Sequence, residues 1–470
     1  MLENGRVGIP AHQNISFHNG GKECPPYKKI IVSSLLFANL LYGSSIDADL
    51  MAFDDTPTTQ IADTPESMDD SNTEIEEKST LIEGLTGKFT EQVAYSYSGK
   101  TPHNNFTSLK SSLFLDYEHK FENGWRIKSN AKWYYDAIYD LRDVHYSNDE
   151  LKEQRHETEL FDAYAEGSLT ENLDIKAGRQ VVVWGRSDTI RITDVLNPLD
   201  NRRPGMVDIE DLRLPVGMVK ADYFLGDWRV TPIAIVEQRF SKNPAFGSAF
   251  NPMSDPHLKE DSPTDTTYAL SIGAEFSGWD VNFYGAHLYD DAGYIKFKAQ
   301  PLLKHEKVDM LGTALNVLSG AWLFKTELAY FDGLKYTSAQ EKAFSRTDAL
   351  LGVEYKGIAD TMISYDFSIR HLNSYDKRLL HEFNPLEKNT YQHAFRVTSD
   401  FMNATLHANY LISLYGSKLE RGGFQRAWVK YDIDDAVSMN VGAVDYIGGS
   451  KLFDIVKDND MVFADISYSF

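Results

Sequence analysis

The sequence predicts an all-β fold, a transmembrane antiparallel β-barrel of about 18 strands with roughly 14 to 18 compatible with its punctuation. Three observations carry this. Polar and apolar residues alternate with period two from Leu85 to the end, the separators between alternating runs are in turn short and long, and the chain ends on a strand whose last residue is Phe470.

Residues 1–48 form an N-terminal extension with the pattern of a secretory signal. "KKIIVSSLLFANLLYGSSIDA" gives two lysines, an apolar run from Ile30 to Leu41 and small residues ending at Ala48. That run is too short for a permanent membrane helix. Residues 1–27 read as an extended n-region or as lying before the true start. Cys24, the single cysteine, lies upstream of the apolar run and would leave with the signal, so neither a disulfide nor a thiolate metal site is expected. Residues 49–84 read as a disordered tether: Asp49 to Thr80 holds ten acidic residues against one lysine, too little apolar surface to offset the entropy of ordering. Net charge is −22, which argues against a nucleic-acid partner, since a phosphate backbone asks for clustered cations.

Residues 85–470 carry the expected barrel. In "TLHANYLISLY", Leu406, Ala408, Tyr410, Ile412 and Leu414 oppose His407, Asn409, Leu411 and Ser413. "ISYDFSIRH" and "QRAWVKYDID" alternate in the same way. An apolar face against a polar one over about ten residues suits lipid outside and water inside. The inward set would line a lumen with Asp116, Glu118, Lys120, Lys325, Glu327, Asp366, Arg370, His407, Lys430 and Asp432. Trp125, Trp133, Tyr134, Trp228, Trp279 and Trp322 fall at strand ends, the depth of an interfacial aromatic belt.

Short separators occur near Glu122, Thr170, Gly226, Ser277, Ser319, Gly357, Met402 and Asp434, with long ones between them. Short turns on one rim and long loops on the other are the habit of outer-membrane barrels. Weak strands near Thr86 and Gly293 are the least distinct. In the last strand Phe470, Tyr468 and Ile466 share one face, a pattern that resembles the assembly signal read by the outer-membrane insertion machinery.

One segment does not alternate. "VWGRSDTIRITDVLNPLDNRRPG", Val183 to Gly205, follows the fifth expected strand and packs Arg186, Asp188, Arg191, Asp194, Asp200, Arg202 and Arg203 between turns fixed by proline. Mixed charges and rigid turns suit a loop over 185–214 that pairs with the barrel wall and narrows the lumen. A solvated surface loop with weak ion pairs is the alternative.

"GRQVVVWGRSDTIRITDVLNPLD" followed by "LPVGMVKADYFLGDWRVTPIAI" resembles a domain-of-unknown-function family of large Gram-negative outer-membrane barrels, similar in outline to alginate-export barrels. The match runs from Lys176 to Ile235 and rests on Gly178, Arg179, Gln180, Trp184, Gly185, Asp188, Asp194, Asn197, Pro198 and Asp200. Family members often hold an acidic or small residue where this chain has Arg186. The resemblance implies an outer-membrane location in a Gram-negative bacterium, contact with outer-membrane lipid and lipopolysaccharide, and an inner-membrane transporter as partner.

The expected role is a channel or export conduit for a small or lipid-like molecule. A barrel-embedded hydrolase and a surface receptor or adhesin are the alternatives. No nucleophile elbow, zincin or calcium-loop motif occurs, and no catalytic residue, cofactor or metal is expected. The histidines beside carboxylates, His156 with Glu157 and Glu159, and His381 with Glu382, are the candidates for a rim acid or base.

Overall fold

The computed structural model describes residues 83–206, 212–297 and 300–470. The expected signal and nearly all of the tether lie outside the described residues.

Period-two alternation resolves into strands β1 (Leu85–Ser96), β2 (Asn105–Lys120), β3 (Arg126–Asp136), β4 (His156–Thr170), β5 (Leu173–Gln180) and β6 (Val216–Leu225). β7 (Trp228–Ile235), β8 (Thr267–Phe276), β9 (Trp279–Tyr289), β10 (Lys307–Ser319), β11 (Trp322–Leu334) and β12 (Phe344–Ile358) follow. β13 (Thr361–Leu372), β14 (Asn389–Phe401), β15 (Leu406–Tyr415), β16 (Gly423–Asp432), β17 (Val437–Ile447) and β18 (Met461–Ser469) complete one 18-stranded antiparallel sheet. Each strand pairs with its chain neighbours, and β1 pairs with β18, so the sheet is a closed barrel as the alternation predicts. Closure is what lipid demands, because an open edge would leave backbone donors and acceptors without partners.

The seam is tight at its end. Gly87 and Phe470 exchange backbone hydrogen bonds of 2.8 and 2.9 Å. A Cβ on Gly87 would stand 2.3 Å from the Phe470 ring, so the terminal phenylalanine lies directly over this glycine and would have to swing aside for a larger residue. Further along, the Thr90 and Ser467 hydroxyls hydrogen-bond at 2.8 Å.

Connections on one rim are as short as 171–172 and 226–227, while the other carries 181–215 and 236–266. Thr86 belongs to β1. The weak segment after Gly293 is not a wall strand: Tyr294–Lys296 pairs with Leu302–Lys304, and that with Lys259–Glu260, in a small sheet among the long loops.

Large apolar side chains stand exposed on the outer face, among them Leu311, Leu351, Phe395, Val429 and Ile466. Trp228, Trp279 and Trp322 open their strands directly after short turns and are also exposed. Tyr134 departs from the expected belt. Alternating with the outward Trp133, it faces inward, and its hydroxyl donates to the Glu153 carbonyl at 3.1 Å.

The inner face differs from the ionic lining that alternation suggests. Met218, Ile233, Val308, Met310 and Leu350 point inward and are buried, in one apolar cluster with Ile190, Ile192 and Leu196 of the 181–215 segment. Packed chain displaces water there, so apolar residues on the inner face have partners to bury against.

If the ring closes through β1 and β18, Thr90→Cys with Ser467→Cys in a Cys24→Ser background should cross-link under mild oxidation. Denaturing gels with and without reductant read the band shift, and failure to cross-link in folded, heat-modifiable protein would contradict the seam.

Candidate functional site

The 181–215 segment starts where β5 runs out. β5 and β7 are the shortest wall strands at 8 residues each, and the chain leaves the sheet after β5 and returns at β6. Asn197 ties the two stems together: its amide nitrogen donates to the Gln180 carbonyl at 3.2 Å and the Leu214 carbonyl at 2.9 Å, and its oxygen accepts from Val182 N at 2.8 Å. Gln180, fully buried, donates to the Met218 carbonyl at 3.2 Å. Leu199 and Arg213 add a β-bridge.

Between the stems the chain crosses the lumen and is caught by wall carboxylates. Glu327 on β11 accepts from the backbone N–H groups of Arg186 (2.6 Å), Ser187 (3.0 Å) and Thr193 (3.1 Å) and from the Thr193 hydroxyl (2.6 Å). Asp366 on β13 accepts from the hydroxyls of Ser187 (2.7 Å) and Thr189 (2.6 Å). The turn is also closed locally, since the Ser187 hydroxyl accepts from Thr189 N and Ile190 N. Gly185 is required twice over: its φ is +90°, and a Cβ would stand 2.9 Å from the Glu327 carboxylate.

Every charge singled out in the segment has a partner. Arg186 pairs with Asp280 and Asp188 with Lys325 at 2.8 Å. Asp194 takes Arg191 at 3.1 Å and Arg213 at 3.0 Å, and its other oxygen accepts from Trp184 N at 3.3 Å. Arg202 chelates Asp200 and reaches Glu157 at 2.6 Å, while Arg203 meets Asp136 at 2.8 Å. Trp184 stacks on Tyr284 of β9, ring centroids 4.6 Å apart. Arg370 donates to the Arg191 carbonyl at 3.0 Å. Burial pushes the Asp194 carboxyl up, but Arg191 and Arg213 outweigh it and hold the group below the ordinary aspartate value of 3.8. Asp200 is held low in the same way by Arg202.

The expected lumen residues divide into two groups. Lys325, Glu327, Asp366 and Arg370 are the wall contacts of the crossing segment. Asp116, Glu118, Lys120, His407, Lys430 and Asp432 stand near the short-turn rim in local pairs: Asp116 with Lys128 at 3.2 Å, Glu118 with Lys120 at 3.4 Å, and Asp432 with Lys430 at 3.0 Å and His407 at 3.1 Å. Arg179 is not part of the crossing. It alternates to the face opposite Gln180 and pairs with Glu237. Ile466 and Tyr468 are exposed on the outer face of β18, with Phe470 at its end.

The side chains of His156 and His381 make no hydrogen bond or ion pair among the described residues. Glu157 and Glu159 are instead neutralised by Arg202, Arg239 and Lys242. Glu382 accepts from Ser338 N at 2.7 Å. Glu157 and Glu159, with Asp136 and Asp280, are the carboxylates that sequence reading missed as anchors of the loop cations. Their signal was inward phase on adjacent strands.

On the other side of the crossing a cavity of about 430 Å³ lies against β1–β4. It runs from Lys88, near the short-turn rim, to Glu153 and Gln154 of the helix Asn148–Gln154 in the β3–β4 loop.

A closed 18-stranded barrel with an apolar exterior and a long segment folded into its lumen defines a transmembrane β-barrel of porin-like build. The chain belongs to the family described as protein of unknown function (DUF1302), whose model matches residues 47–470. No curated protein matches. Similar solved structures include OccAB2 of Acinetobacter baumannii, 10% identical with a TM-score of 0.48 over 82% of this chain and 97% of that one. OccK8 (OprE) of Pseudomonas aeruginosa is 11% identical with a TM-score of 0.48 over 82% and 98%. The outer-membrane channel DcaP of Acinetobacter baumannii is 9% identical with a TM-score of 0.42 over 82% and 96%.

Two outcomes follow from the anchoring. Glu327→Ala orphans buried donors, each at a cost of about 1–3 kcal/mol, so trypsin should cut at Arg186 or Arg191 in folded variant protein and spare the wild type. The second concerns acid. Because the folded value of Asp194 is depressed, its contribution is complete above 3.8 and is lost as pH falls through the lowered value. Tryptophan emission should therefore change below pH 3.8, and that component should be absent from Trp184→Phe.

Proposed function

We propose that the protein is an outer-membrane channel or export conduit of a Gram-negative bacterium, passing a small or lipid-like molecule through a lumen narrowed by the 185–214 loop. The observation that supports this most directly is the cavity of about 430 Å³ left between β1–β4 and the crossing segment, reaching from near the short-turn rim to beneath the long loops. A ring of 18 strands is wide enough for an aqueous path, and the segment fills one side of it.

In this reading the outer face meets outer-membrane lipid and lipopolysaccharide. The strand ending in Ile466, Tyr468 and Phe470 is what the insertion machinery receives. An inner-membrane transporter would be met at the short-turn rim, where Asp116, Glu118, Lys120, His407, Lys430 and Asp432 form locally paired charge rather than a field of one sign. Narrowing depends on Glu327 and Asp366, because they accept the backbone and hydroxyl donors that hold the crossing in place.

Planar-bilayer recording of the purified protein tests the reading. Discrete conductance steps are expected, larger in Glu327→Ala with Asp366→Ala than in wild type. Absence of steps where a known porin conducts would overturn the conduit, and unchanged step size in the double variant would overturn the narrowing.

A further inference from the structure

The cavity against β1–β4 carries a charge pattern that the barrel does not need for its own stability. Lys88 of β1 is in register with Phe114 of β2, and Phe114 with Lys132 of β3, so one level of the inner wall presents an aromatic ring flanked by two ammonium groups. The Lys132 ammonium stands 3.9 Å from the Phe161 ring centroid and 5.9 Å from that of Phe114. Lys110 lies further along β2 from Phe114, a step of about 14 Å at ~3.4 Å per residue, and it faces the same cavity.

Among the described residues no carboxylate pairs with Lys88 or Lys110. The crossing segment's Arg202 and Arg203 already match Asp200, Glu157 and Asp136. Lys88 and Lys110 form no ion pair among the described residues; Lys110 is in register with Asp136, which Arg203 already holds, and its ammonium stands 5.7 Å from the Tyr134 ring. Lys110 is half-buried, and desolvating an ammonium without a counter-charge is costly. In a chain whose net charge is −22, two cations without an ion pair among the described residues that share a cavity with the half-buried Phe114 ring form a recognition surface of defined chemistry.

We propose that this cavity binds organic anions that carry an apolar body. The acid head meets Lys88 or Lys110, and the body lies on the Phe114 and Phe161 side of the wall. Small hydrophilic anions lack the second contact and neutral amphiphiles lack the first, so neither satisfies the site. The idea that the occupant is in transit rests on the conduit reading; the binding itself does not.

Equilibrium dialysis of the purified full-length barrel in nanodiscs, against empty nanodiscs, tests this with 4-phenylbutanoate, 4-phenylbutan-1-ol and acetate. The carboxylate should bind about tenfold more tightly than the alcohol, the factor carried by one charge-assisted hydrogen bond, and acetate at equal concentration should not displace it. In Lys88→Gln with Lys110→Gln the ratio of carboxylate to alcohol affinity should fall towards unity. In Lys342→Gln with Lys457→Gln, on the long loops, it should stay at the wild-type value. Heat-modifiable migration reports that each variant is folded. Equal affinity for carboxylate and alcohol in the wild type, or an unchanged ratio in the Lys88 and Lys110 variant, overturns the site. Binding as expected with no bilayer conductance would remove the conduit and leave the site standing, whereas conductance without carboxylate preference would do the reverse.

Discussion

The structure depends on one constraint: in lipid the backbone must satisfy its own hydrogen bonds, and this chain does so by joining β1 to β18 in a ring of 18 strands. The ring's size has a consequence. Eight strands can fill their interior with wall side chains, but 16 to 18 leave a lumen. Part of that space is occupied by the chain itself through the 181–215 segment, and the places it touches determine which inner-wall residues are apolar, acidic or basic.

Irregular backbone at membrane depth is tolerated where it is buried in protein or lines a water-filled cavity. The crossing meets this condition through side-chain acceptors. Three backbone N–H groups that would have joined a ladder in a strand converge on the Glu327 carboxylate, and the Ser187 and Thr189 hydroxyls converge on Asp366. An ionised carboxylate has enough lone pairs to take several donors at once, so one strand residue can anchor a whole turn. The arginines work in the opposite direction, each brought against a fixed acid so that none is desolvated alone. Such pairing adds little net stability compared with apolar packing. What it supplies is a single position for a segment whose sequence has no alternation to place it.

Much of the wall was legible in the sequence because period-two alternation is a local signal, repeated within each strand. The segment's departure from the wall was equally visible, in Gly185, the prolines and the seven mixed charges after the fifth strand. Its destination was not. Arg186 meets Glu327 across 141 residues of sequence, and that distance closes only when β11 takes its place between β10 and β12 in the ring. Tyr134 and Glu157 were misassigned for the same reason, since a ring near a strand end or a carboxylate beside a histidine looks the same whether it faces lipid, water or a partner. The level shared by Lys88, Phe114 and Lys132 is a matter of cross-strand register, which no single strand contains. The apolar inner face of β6–β11 contradicts the simplest rule for barrels because the rule assumes water inside.

Around the ring, inner-wall composition follows the path of the crossing. It is rooted at β5 and β6 and anchored on β9, β11 and β13, and there the inward residues are Met218, Tyr284, Met310 and Ala314 with a few carboxylates aimed at its donors. On the cavity side of β1–β3 the inward residues are Lys88, Phe114 and Lys132 towards the short-turn rim and Lys110 higher up, level with Asp136. A methionine facing water would gain nothing there, and a lysine under the crossing would need its own acid, as Lys325 has in Asp188. The two halves of the wall therefore answer to different solvents, one made of protein and one made of water. The boundary between them is the turn from Asp200 to Arg203, where the segment's charges stop facing one another and begin to face the cavity.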